Sequence, residues 1–177
     1  MNRPDEQDFH AFAAQWLSSI YHSDDHERIF AHLKEIDPLF SSVPAEQFAM
    51  EYLAARLGLA AQVWESLCME NRLPQEAVQK SFLKSVMTTF TAPKFVNLAS
   101  AFSEYLWHRP GQNQSVPIAL SELIFRRIGA QNAPQNPNAR SLAASFQTMV
   151  EILESLRTSF ENDFFEFIHK PLVPPDI

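Results

Sequence analysis

The chain has 177 residues, enough for one domain with a sizeable core. Its 46% hydrophobic and 12% aromatic content belongs to a folding chain, and one cysteine, Cys68, excludes an internal disulfide or a multi-cysteine metal centre. The formal net charge of −7, with Arg126-Arg127 the tightest basic cluster, argues against nucleic acid or an anionic membrane surface as partner.

Apolar residues recur at three- and four-residue intervals along most of the chain, which is the helical period. A first helix is expected from about Asp5 to Tyr21, with Phe9, Phe12, Trp16 and Ile20 on one face. Ser23 reads as the N-cap of a second, where Asp24, Asp25 and Glu27 set negative charge on its positive end. Ile29, Phe30, Leu33 and Ile36 form its stripe, and Asp37-Pro38 ends it. A third begins near Pro44 and carries Phe48, Tyr52 and Ala55. Gly58 either ends that helix or bends it into the next stretch, Leu59 to Asn71, since one glycine costs only about 1 kcal/mol against alanine.

Pro74 opens a further helix bearing Val78, Phe82 and Val86, and Thr91 caps one bearing Phe95, Leu98, Phe102 and Leu106. Residues 109–115 are turn chemistry, after which Ser115 and Pro117 start a helix with Leu120, Ile124 and Ile128 that Gly129 terminates. Residues 130–138 form a polar, proline-broken surface loop. The last helix runs from about Ala139 to His169, roughly 45 Å. Leu142, Phe146, Met149, Leu153, Leu156, Phe160, Phe164 and Phe167 follow one another along it. Val150, Ile152, Phe165 and Ile168 widen this apolar face, so the helix is expected to be central or to continue into a partner. Residues 1–4 and 171–177 are expected as flexible ends. The fold class is therefore an all-α, single-domain helical bundle over 1–177, with about seven or eight helices and a long C-terminal one.

Three glycines, Gly58, Gly111 and Gly129, are too few and too scattered for a P-loop, a dinucleotide fingerprint or a nucleophile elbow. Met1 to Glu6 lack the apolar core of a signal peptide, and no apolar run reaches about 18 residues. The expected location is the cytoplasm.

Glu166 and His169 share a helix face at the spacing of di-iron bundles, but a second Glu-x-x-His is missing. His22, His26 and His32 accompany Asp24, Asp25 and Glu27, although a cap at Ser23 puts His22 outside the helix and spoils a zinc pair. Ser41, Ser42 and Ser145 have no catalytic motif around them. No catalytic residue and no cofactor is assigned. Trp16, Trp64, Trp107 and Phe160 are candidates to line a pocket for a small apolar ligand, beside the ordinary reading as core. Phe164, Phe165, Phe167 and Ile168 occupy several angular positions of one helix, which points to an exposed interface bordered by Glu161, Asp163 and Glu166. The leading expectation is a non-catalytic protein–protein interaction domain, most simply a homo-oligomer. A small-molecule sensor or carrier is the alternative, and a metal-dependent enzyme in a helical scaffold is the second.

Overall fold

From Tyr52 to Trp64 only Arg56 and Gln62 interrupt a run of apolar residues, so a helix there must be covered on every side. The computed structural model describes residues 4–73, 76–90, 95–130 and 139–169, and it places this run in α3, Ala45–Glu70. Around it lie α1 (Glu6–Tyr21), α2 (Asp25–Ile36), the short α4 (Glu76–Gln79), α5 (Ser81–Thr89), α6 (Val96–Trp107), α7 (Val116–Arg127) and α8 (Ala139–His169). Each of these seven packs against α3. Among the described residues there are eight α-helices, a 3-10 turn at Pro38–Ser42 and no strand. The expected all-α bundle with a long last helix is what forms. Its axis, however, is α3 and not α8. The reason is composition: α8 keeps Glu151, Thr158, Asn162 and Glu166 on a wet face, whereas α3 has no such face between Tyr52 and Trp64.

Helix α3 passes through Gly58 without a break. Leu98 of α6 shares a cleft with Met50 and Leu53, while Gln62 Nε2 donates to the Tyr105 carbonyl, so α3 and α6 run in the same direction. They touch at Gly58. A Cβ there would lie 2.7 Å from Tyr105 Cβ and 3.1 Å from its carbonyl carbon. The glycine is thus a seat for α6 and not a stop signal. Gly58→Ala, ordinarily a gain of about 1 kcal/mol inside a helix, is expected instead to destabilise by roughly 1–3 kcal/mol. A lowered urea midpoint checks this, and a raised one would mean that α6 yields without cost.

Local chemistry sets the helix ends. Asp5 caps α1, accepting from the backbone N–H groups of Gln7 and Asp8, and Asp8 reciprocates to the Asp5 N–H. Ser115 caps α7 as expected, and Gly129, at φ +80°, takes the left-handed position just beyond it. Ser23 does not cap α2. That position falls to Asp24, and Ser23 Oγ donates to Asp25 instead. The helix expected from Pro74 is in two pieces, interrupted at Lys80, yet Val78, Phe82 and Val86 all reach the core. The expectations for Thr91, Pro74 as a helix start, the loop beyond Ala130 and the extreme ends lie outside the described residues.

Aromatic rings gather in two main clusters along α3. Phe9, Phe12 and Trp16 of α1 meet Trp64, Phe82 and the α8 residues Phe160, Phe164 and Phe167. Phe30, Phe40, Phe48, Tyr52, Phe125 and Phe146 form the second, tying α2, the 3-10 turn, α3, α7 and α8 together. Such rings bury large areas and set most of the core energy.

Candidate functional site

The sequence-derived candidates scatter in space. Trp16, Trp64 and Phe160 do come together, with Trp16 5.4 Å from Trp64 and 5.1 Å from Phe160, but as rings in mutual contact within the core. Trp107 is elsewhere, 68% exposed at the end of α6. Phe164 is buried to 0% exposure against Trp16, Trp64 and Phe9, so it is a core residue and not part of a surface patch. Its neighbours Phe167 and Ile168 are half-buried, and Phe165 is 41% exposed. Glu166 and His169 are both exposed, and His169 Nδ1 lies 2.8 Å from the Phe165 carbonyl. Among the described residues no three His, Cys, Asp or Glu side chains converge to hold a metal. Cys68 is a buried small apolar group, and burial pushes its thiol up to about 12. No described helix is long and apolar enough to cross a membrane.

Two arginines stand out once the helices are assembled, Arg127 half-buried and Arg56 buried. Arg127 of α7, half of the Arg126-Arg127 pair, turns inward. Its Nε donates to Glu51 Oε2 at 2.6 Å, and its guanidinium also pairs with Glu104 at 2.6 Å. Glu51, only 2% exposed, accepts in addition from the Tyr105 hydroxyl at 2.9 Å. Gln47 Nε2 closes the set on the Arg127 carbonyl at 2.9 Å. The hydrogen bond to Glu51 holds the Arg127 guanidinium charged, and burial pushes the Tyr105 phenol well above its usual range. This network pins α3, α6 and α7 to one another with every charge answered.

Arg56 is the contrast. It is 5% exposed, and among the described residues its guanidinium has no hydrogen-bond or ion-pair partner. Its carbon sits 5.6 Å from the centre of the Tyr52 ring, a cation–π contact that orients it without satisfying its donors. Arg56 lines a cleft of about 270 Å³ where the end of α1, the start of α2, α3 and the start of α6 converge. Tyr21, Tyr52 and Phe95 give the cleft aromatic walls, and Met50, Leu53 and Leu98 give it aliphatic ones. Ser23, Asp24 and His26 also line it. Asp25, beside it in sequence, is already engaged by Ser23 Oγ at 2.8 Å and by Arg28 at 3.4 Å. Burial, opposed in part by Arg56, pushes the Tyr52 phenol up to about 12, so it stays a neutral donor.

A wider groove of about 460 Å³ runs between α1 and α5, lined by His10, Ser18, His22 and Lys84. His22 and Lys84 there are exposed, so water meets their needs. The smaller cleft is the better candidate because the buried Arg56 Nε has no acceptor, and a ligand that answers the guanidinium recovers free energy.

Comparison with known proteins finds no matching family model, no matching curated protein and no matching solved structure.

Proposed function

We propose that this chain is a helical small-molecule-binding domain, a sensor or carrier, whose site is the cleft around Arg56. The single observation behind this reading is Arg56, a residue 5% exposed whose buried Nε has no acceptor among the described residues, on the wall of an aromatic-lined cleft. The ordinary alternative is an arginine that answers a carboxylate of its own protein, as the half-buried Arg127 does. Binding, not catalysis, suits the residue: arginine stays protonated near neutral pH and so anchors charge without exchanging protons.

A thermal-shift screen of small organic molecules tests the proposal. A ligand at about a hundred times its Kd stabilises by about 2.7 kcal/mol, which for a chain of this size raises the midpoint by roughly 5–10 °C. Ala49, half-buried on the cleft wall, supplies the control. Ala49→Leu fills the cleft and is expected to erase the shift. A shift that survives this substitution would place the binding elsewhere and reject the cleft.

A second reading, self-association through the end of α8, rests on Phe165 at 41% exposure beside half-buried Phe167 and Ile168. Sedimentation of the wild type beside Phe165→Asp tests it, and a wild type that stays monomeric would end it.

A further inference from the structure

We infer that the cleft takes a small monoanion, a carboxylate on an apolar body, with Arg56 as its counter-ion. This inference rests on the ligand-binding reading and adds the class of ligand. Three features of the cleft carry it. First, the planar guanidinium offers parallel N–H donors, which fit the two oxygens of a carboxylate. Second, most of the cleft lining is rings and aliphatic chains, among them Tyr21, Phe95, Met50 and Leu53, which suit an apolar body and offer little to a sugar or polyol. Third, the rim carries Asp24, and the chain as a whole has a net charge of −7, so each further negative charge on the ligand meets added repulsion. One charge is favoured over two, hence a carboxylate over a phosphate monoester.

The occupied state balances the site electrostatically. The carboxylate accepts from Arg56, whose ring contact with Tyr52 holds the fork in place. Dislodging water from Arg56, a residue already only 5% exposed, costs little, because most of its desolvation has occurred on folding.

Calorimetric titration of the full chain with benzoate and with benzamide, equal in shape and different in charge, tests the inference. Benzoate is expected to bind at least roughly tenfold more tightly, the difference a charge-assisted hydrogen bond makes. Arg56→Lys keeps the charge but loses the fork, and is expected to weaken benzoate. Because Arg56 is buried and its replacement stands to disturb folding, Asp24→Asn provides an independent arm. Asp24 is exposed and makes no side-chain cap bond, so the fold is expected to remain, while loss of a like charge strengthens benzoate roughly two- to fivefold. Equal affinities for benzoate and benzamide, both erased by Ala49→Leu, would overturn the anion assignment and leave small-molecule binding standing. Tighter binding of phenyl phosphate than of benzoate would overturn the monoanion. Failure of benzoate, phenylacetate and hexanoate alike to bind at millimolar concentration would overturn the inference outright.

Discussion

Replacing Arg127 with methionine is expected to lower the free energy of unfolding by about 2–4 kcal/mol, because it strands the buried Glu51 carboxylate while Arg127 itself is only half-buried. The side chain itself is not the main source of that loss. Glu51 is 2% exposed, and without Arg127 its carboxylate keeps only the Tyr105 hydroxyl, at 2.9 Å. A nearly naked anion would then remain between α3, α6 and α7. Urea unfolding followed by circular dichroism measures the change. The triple replacement Glu51→Leu, Tyr105→Phe and Arg127→Met removes the polar set together, and is expected to recover most of the loss because apolar substitutes fill similar volume. If the single variant were as stable as the wild type, the network would be contributing shape and not charge pairing.

Phe164→Ala is expected to cost a comparable 3–5 kcal/mol, as large-to-small changes at buried aromatic positions do. Phe165→Ala, one residue along the same helix, is expected to stay within about 0.5 kcal/mol. The asymmetry follows from a 100° turn of the helix. Phe164 is enclosed by Trp64 at 5.4 Å, Phe9 at 6.3 Å and Trp16 at 6.4 Å, while Phe165 is 41% exposed. Thermal unfolding of the two variants side by side checks this, with a drop of roughly 10 °C for the first. Equal effects would mean that α8 is rotated from the orientation described. The comparison also shows why Phe164 is unsuited to probing association: its replacement disturbs the fold before any surface.

Helix periodicity, caps and prolines made the architecture legible. Residues such as Phe9, Trp16, Leu33, Leu120 and Leu153 fall in the core where their spacing puts them. The chemistry of the cleft was much less visible, for a physical reason. Arg56 and Glu51 look like ordinary helix-surface charges until the middle of α3, residues 51–64, is seen to lack a wet side. The signal was present in the run from Tyr52 to Trp64, where apolar residues on every face leave Arg56 nowhere to go but inward. Tyr105 and Arg127 gave no such hint, because their roles depend on which neighbour faces them. Periodicity encodes which side of a helix is buried, whereas the partner that meets it is a property of the assembled bundle. Gly58 illustrates the same limit: its local ambiguity resolves only when Tyr105 arrives from α6.

The stacked rings of Phe12 and Phe167, 4.1 Å apart, join helices separated by roughly 150 positions of chain. During synthesis that pairing has to wait for α8, so Phe9, Phe12 and Trp16 leave the ribosome long before the surface that shields them. The nascent protein therefore carries an oily, aromatic flank until α8 has been made. A chain cut short before α8 is expected to be sticky and protease-sensitive, because the aromatic face of α1 then lacks its cover.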